Sequence, residues 1–331
     1  MSHIQPNYSY NYSIGHEISR ATPAPASAFT GTLAPIALFV YNRPDHTRRT
    51  LEALRANALA PQSDLHIFAD AAKPTSANAS VAAVRQLIRA VAGFKSVTLI
   101  EREKNAGLSA SVISGVTQLC EQQGRVIAVE DDLLTAPDFL TFMNRALEQY
   151  AHDAEIYSVS GYNFGVSAPA GYGYDAFCCR RSSSWGWGTW RNRWETADWS
   201  VSDFPCFSRD KEQQRLLNRG GEDLSWMLGL QMAGRINSWS IRWDYAHYKH
   251  SALAVSAVTP RVHNIGLDGS GVHCSSRALY QSSMADGCRE EFRFPPLAEA
   301  DPFFEMEIRR LHRRSPARKI LQHFKYAMRR R

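Results

Sequence analysis

VIAVEDDLLTAPDF, residues 126–139, carries four apolar residues straight into three adjacent carboxylates, Glu130, Asp131 and Asp132. The apolar part reads as a buried strand, and the acids stand where that strand ends. Like charges at the edge of a core repel and are costly to desolvate unless compensated. The stretch therefore asks for a cation or a hydroxyl-rich ligand. Upstream, the same grammar repeats. PIALFVY (35–41) is a short strand, and NRPDHTRRTLEAL (42–54) is a helix with Asp45 or Thr47 as cap. DLHIFAD (64–70) is a second strand, VAAVRQLIRAVAGF (81–94) a helix, SVTLIERE (96–103) a third strand, and ASVISGVTQLCEQQ (110–123) a helix leading to the fourth. Strands alternating with helices predict an α/β fold with a mainly parallel central sheet flanked by helices.

In such sheets ligands gather beyond the carboxyl ends of the strands. The polar residues ending these strands are Asn42 and Arg43, Asp70, Asn105, and the acidic triplet. The topology predicts that they share one rim.

Composition narrows the function. The 331 residues are 44% hydrophobic, enough for a large core, and no apolar run has the length of a membrane span. The N-terminus lacks the charged-then-apolar pattern of a secretory signal, and the six cysteines form no CxxC pair. These features lead to the expectation of a cytoplasmic protein with reduced thiols. The net charge of +6 is concentrated at one end. Arg309–Arg331 holds ten Lys/Arg and no acid, leaving 28 basic against 32 acidic side chains over residues 1–308. A basic appendage on a slightly acidic body argues against a specific nucleic-acid partner.

Residues 1–33, ending in ATPAPASAFTGTL, read as a flexible leader. Residues 34–300 read as one domain in two halves, 34–150 and 151–300. The latter contains IYSVSGYNF (156–164) as strand and turn, GEDLSWMLGLQMAG (221–234) as a helix, and NSWSIRW (237–243) as a strand. Residues 301–331 read as a basic amphipathic tail, with Ile320, Leu321, Phe324 and Met328 on one helical face; either solvated charge or contact with an anionic membrane surface accounts for it.

A strand-end Asp pair suits Mg²⁺ or Mn²⁺, hard ions that keep open positions and bridge to phosphates. The competing reading makes EDDLL the acidic first turn of a helix. The flanks favour the ion. VIAVEDDLLTAPDFLTFM resembles the acidic-triplet region of the N-acetylglucosaminyltransferase I family. In the same order, FVYNRPDHTRRTLEAL resembles that family's first strand and helix, HIFAD its second strand, and GEDLSWML its acidic pair before a helical tryptophan. The likeness spans roughly residues 34–245 and extends to family 2-like bacterial sugar transferases of the GT-A (nucleotide-diphospho-sugar transferase) fold, which SSSWGWGTW and NIGLDGSGVH resemble more closely.

The resemblance carried by these motifs implies a nucleotide-binding half at 34–150 and a C-terminal acceptor-side subregion at 151–300. It implies a metal-dependent, inverting glycosyltransferase taking a nucleotide-sugar donor, most simply a UDP-sugar, to a glycan or lipid-linked glycan acceptor. Asp132 is then the metal ligand, and Glu130 and Asp131 hold ribose or sugar hydroxyls. Asp70 accepts from the base imide, Asn42 and Arg43 meet the donor, and Lys73 is a further phosphate contact. In FADAAK an Ala follows Asp70 where related chains often carry Gly. Asp223 is the general base, with Glu222 as its alternate, or both are ordinary carboxylates at a helix start. His273, in competition with His263, is a second metal ligand or a structural histidine. Of Trp185, Trp187, Trp190 and Trp194, one or two, Trp185 and Trp187 first, line the acceptor site and the others pack. A peripheral membrane contact through the tail would place the enzyme at the inner face of the cytoplasmic membrane. Two rivals remain at this point: a nucleotidyltransferase, disfavoured because NRPDHTRRT has no glycine, and a noncatalytic glycan-binding protein on a decayed transferase fold.

Overall fold

The computed structural model describes residues 31–73, 78–268, 284–296 and 298–313. Strands β1 (Ile36–Val40), β2 (Asp64–Ala69), β3 (Ser96–Glu101) and β4 (Arg125–Glu130) alternate with helices α1 (Pro44–Arg55), α2 (Asn78–Arg89) and α3 (Leu108–Gln123). Then follow β5 (Leu133–Thr135), α4 (Phe139–Gln149), β6 (Ile156–Ser160), β7 (Ala176–Cys179), β8 (Trp187–Trp190), α5 (Arg191–Trp194), α6 (Phe204–Phe207) and α7 (Lys211–Leu217). The described chain continues through α8 (Leu224–Met232), α9 (Trp239–Lys249), β9 (Leu253–Ala257), β10 (Val262–Asn264) and α10 (Pro302–Leu311).

Eight strands form one sheet in the order β3-β2-β1-β4-β8-β6-β9-β7. β8 and β7 run against the other six, so the sheet is mainly parallel as expected. β8 joins its halves, with Gly188 opposite Ile127 of β4 on one side and Val159 of β6 on the other. A Cβ at Gly188 would sit 2.8 Å from the Val126 carbonyl oxygen, so only glycine fits that seam.

Alternation along β1 divides the core. Ile36, Leu38 and Val40 face α1, α2, α4 and α10, whereas Ala37 and Phe39 face α3, α5 and α9. This is the double covering that continuous apolar strands require. A third cluster, from Val201 to Tyr245, fills the space among α6, α7, α8 and α9.

Several sequence expectations change. Arg43, not Asp45 or Thr47, is the N-cap of α1; Pro44 takes the first helical position, and Thr47 instead bonds back to the Arg43 carbonyl at 2.9 Å. The acidic triplet opens no helix: Glu130 ends β4, and Asp131 and Asp132 form the turn into β5, which pairs antiparallel with β10. NSWSIRW is helix α9 rather than a strand. Ser238 caps it through Ile241 N–H, and Trp239, Trp243 and Ala246 face one layer while Ile241 and Tyr245 face another. The first part of the expected tail is α10, which belongs to the core: Phe304 stacks on Phe177 at 3.7 Å and 1°. The leader through residue 30, and the tail from residue 314, lie outside the described residues. Among the described residues no helix is long and apolar enough to cross a membrane.

Candidate functional site

Because β1, β2, β3 and β4 are parallel neighbours, their carboxyl ends open on the same side of the sheet. There they enclose a cleft of about 310 Å³. Its lining includes Tyr41, Asn42 and Arg43 after β1, Asp70 and Lys73 after β2, Asn105 and Gly107 after β3, and Glu130 at the end of β4 with Asp131 and Asp132 beyond it. Thus every donor-side residue expected from the sequence, together with Asp132, reaches one cavity.

The Arg43 guanidinium lies between two members of the triplet. Its Nη2 donates to Asp131 Oδ1 and, at 2.9 Å, to Asp132 Oδ2. Backbone contacts hold the acids in place: Tyr41 N–H reaches Asp131 Oδ2 at 3.4 Å, the Thr50 hydroxyl donates to the Asp131 carbonyl at 2.9 Å, and Ile265 N–H donates to the Asp132 carbonyl at 2.9 Å. Gly266 closes over this pair. A Cβ there would fall 2.1 Å from Asp132 Oδ2 and 2.9 Å from Arg43 Nη1.

Burial raises the Asp131 carboxyl and Arg43 opposes that rise. Burial also pushes Glu130 up, reinforced by Asp132 and Asp131, with Arg43 and a hydrogen bond from Trp239 pulling the other way. For Arg43 itself, burial favours the neutral form, but the two carboxylates outweigh it and hold the guanidinium charged.

Asp70, expected to meet the base, is engaged by four donors within the protein. Ala71 and Ala106 N–H donate to its Oδ1 at 2.9 Å each, and Gly107 N–H and the Asn105 amide to its Oδ2 at 2.8 and 3.0 Å. A carboxylate offers about four acceptor positions; here the loop before α3 takes three and the neighbouring Ala71 N–H the fourth. The expected base imide meets a group already occupied, and Asp70 shapes the cleft by fixing that loop.

A metal was expected at Asp132. Asp132 Oδ1 is buried with no hydrogen-bond partner, although the residue is only 6% exposed. An orphaned carboxylate oxygen lining a cleft suits a cation, so Asp132 fits the holding of one ion. Among the described residues no group of three or more His, Cys, Asp and Glu forms a ready-made cage. His273 lies outside the described residues, and His263 sits on β10 opposite Leu134, outside the cleft lining.

The expected catalytic pair is not in this lining. Asp223, the N-cap of α8, forms a two-point ion pair with Arg181 at 2.8 and 3.1 Å. Burial alone would raise its pKa, but Arg181 and His312 outweigh burial and hold it below the ordinary range. Glu222 faces Arg313 at 4.0 Å. Asp244 of α9 supports the group from below, accepting from the Ser182 N–H and hydroxyl at 2.8 and 2.9 Å.

Trp185 is half-buried against Tyr162, ring centres 4.4 Å apart. Trp187 is 1% exposed and stacked on Trp239 at 4.8 Å, so the expectation that it meets an acceptor is corrected: both ring faces belong to the core. Trp190 and Trp194 are buried as well.

Helix α9 touches both assemblies. Trp239, in its first turn, helps to hold the Glu130 pKa down, and Asp244, five residues on, holds Ser182 beside Arg181. At 1.5 Å rise per residue those anchors are ~7.5 Å apart along the helix axis.

Sequence reading missed Ser111 and Asn237, which also line the cleft, and Arg181. Ser111 Oγ is buried without a partner. Extending the strand-rim logic by one turn into the following helix would have found it; Asn237 and Arg181 arrive from distant segments with no local signal.

No protein-family model matches this chain, and no curated protein matches its sequence. Among solved structures it is similar to the mannosyltransferase PcManGT from Pyrobaculum calidifontis in complex with GDP-Man and Mn²⁺, at 12% identity and a TM-score of 0.37, over 69% of this chain and 73% of that one. It is also similar to S. aureus TarS 1-349 in complex with UDP, at 12% identity and a TM-score of 0.35, over 56% of this chain and 55% of that one. Both likenesses are remote.

Proposed function

We propose that this protein is a glycosyltransferase of the GT-A type that binds a nucleotide-diphosphate sugar in the strand-end cleft. The observation that carries the reading is the convergence of Asn42, Arg43, Asp70, Lys73 and the acidic triplet from three strand ends on one cavity. Such a combination of cations and carboxylates suits a ligand with both a diphosphate and hydroxyl-rich rings. Arg43 and Lys73 face the diphosphate, Glu130 and Asp131 the ribose or sugar hydroxyls, and Asp70 acts through the loop it anchors. Asp132, with its unused oxygen, would hold Mn²⁺ or Mg²⁺, which when bound supplies positive charge against the departing diphosphate.

Transfer is inverting in this reading. The acceptor hydroxyl loses its proton to a carboxylate as it attacks the anomeric carbon opposite the leaving group. Asp223 has that role, with Glu222 as alternate, and Arg181 keeps it ionised until an acceptor displaces one of its two contacts. Trp185 is the acceptor-facing ring. The acceptor is a glycan or lipid-linked glycan of surface polysaccharide assembly, reached from the cytoplasmic face, with the basic tail as a membrane contact.

A thermal-shift screen of nucleotide sugars with and without Mn²⁺ tests the donor reading, since a ligand at 100 times its Kd stabilises by about 2.7 kcal/mol. A donor that raises Tm in wild type and in Asp223→Asn, with turnover lost only in the variant, is the expected result. No shift with any nucleotide sugar refutes it, and a donor bound equally well with no transfer to any acceptor favours the noncatalytic reading.

A further inference from the structure

The pairing of Arg43 with Asp131 and Asp132 leaves two buried atoms unused: Asp132 Oδ1 and Arg43 Nη1 have no hydrogen-bond partner. One guanidinium serves two carboxylates through a single nitrogen, Nη2. The side chains are well enclosed, at 22% exposure for Arg43, 7% for Asp131 and 9% for Asp132, and the Gly266 backbone covers them. The assembly is therefore incomplete in two opposite senses. It has an oxygen suited to a cation and a nitrogen suited to an anion, on two side chains already joined through Nη2 and Oδ2.

We propose that Arg43 is the resident cation of the acidic triplet, excluding a bare divalent ion and admitting one only together with a diphosphate. The inference rests on the reading of Asp132 as the cation ligand. A divalent ion arriving alone at Asp132 meets a fixed positive charge one carboxylate width away, in a partly desolvated site where repulsion is poorly screened. It would also have to compete with Arg43 for two carboxylates whose summed charge the guanidinium offsets by half. A metal diphosphate resolves both objections. Its phosphate oxygens accept from the unused Nη1 and draw the guanidinium off the acids, in the bidentate geometry that Arg offers. Asp132 would then be free of Arg43 to hold the ion. The consequence is positive coupling: metal and diphosphate each raise the affinity for the other by the same factor.

Equilibrium dialysis of the full chain against Mn²⁺, with and without inorganic pyrophosphate, tests this for wild type, Arg43→Gln and Arg43→Lys. Wild type is expected to take up Mn²⁺ at least tenfold more tightly with pyrophosphate than without, about 1.4 kcal/mol of coupling. Arg43→Gln removes the charge and is expected to bind Mn²⁺ alone at least tenfold more tightly than wild type; Arg43→Lys keeps the charge and stays close to wild type. Wild type binding Mn²⁺ alone within twofold of Arg43→Gln overturns the proposal, as does Arg43→Lys admitting Mn²⁺ like the glutamine variant. If Arg43→Gln does not fold, the wild-type comparison decides: equal Mn²⁺ affinity with and without pyrophosphate overturns it. The glycosyltransferase reading fails separately. A nucleotide sugar bound with no metal at all leaves that reading standing and overturns this inference, whereas coupled Mn²⁺ uptake in a protein that binds no nucleotide sugar does the reverse.

Discussion

Replacing Asp70 by Asn changes a single atom type, yet it should loosen the floor of the cleft. The carboxylate accepts four hydrogen bonds, three from backbone N–H groups and one from the Asn105 amide. Asparagine keeps one oxygen, which can serve two of those donors, and turns an NH₂ group toward the other two. Two charge-assisted bonds are lost and two buried donors face another donor. At about 1.5–3 kcal/mol for a bond to a charged group, the loss is on the order of 3 kcal/mol, with no discount for solvent because Asp70 is only 6% exposed. For a chain of 331 residues, with about 2.1 cal/mol/K of unfolding entropy per residue, each kcal/mol moves Tm by about 1.4 °C, so Tm should fall by roughly 4 °C. Part of the loss should emerge locally, because the 105–107 loop can detach while the sheet stays intact. Hydrogen exchange is the discriminating assay: the Ala106 and Gly107 amides should exchange at least tenfold faster, about 1.4 kcal/mol of local opening. A Tm within about 1 °C of wild type, with protection at these amides unchanged, would refute the assignment of Asp70 as the anchor of this loop.

Two further changes probe the rest of the framework. Burial lifts the Asp244 carboxyl to about 6, partly offset by Arg181 and the Ser182 bonds. As pH rises from the unfolded value near 3.8 toward 6, the unfolded chain gives up the proton while the folded one keeps it, so this group's contribution to stability falls, by ~3 kcal/mol at most. Asp244→Asn should remove that decline in urea melts compared between pH 4 and pH 7; parallel pH curves for the two proteins would sink the claim. Phe304→Ala should cost about 3–5 kcal/mol by emptying the stack on Phe177, and should free His312 from Asp223. A urea midpoint that moves by less than 1 kcal/mol equivalent would show that α10 is not part of the core.

The first four strands and three helices were legible because each carries its own evidence: a β-rich apolar run, a helical period, and a polar residue at the strand end. The cleft was legible for the same reason, since parallel topology by itself brings those strand ends together. The misreadings arose where two periods compete. Over SWSIRW, aromatic and polar residues alternate every second position, as in a strand. Only the window extended to Lys249 shows Trp239, Trp243 and Ala246 at helical spacing. Trp187 was misjudged because a tryptophan beside two glycines looks like a binding platform, and nothing nearby announces that Trp239, 52 positions later, stacks on it. Asp223 was placed by resemblance, which transfers a position but not the partner that holds it. Arg181 lies 42 residues upstream and could not be inferred locally.

Strand β8 implies an order of assembly. The strands that build the cleft, β1 to β4, are complete by residue 130, and their pairings are all with one another until β8 arrives at residue 187. A chain emerging from the ribosome can close its cleft-forming half first, leaving the β4 edge exposed as a template. Four residues, with Gly188 at their middle, later zip the remaining strands onto that edge. A bulkier residue at 188 would then act as a wedge late in biogenesis, yielding a chain whose early half is ordered and whose late half is not, a state that limited proteolysis of stalled or truncated chains would reveal.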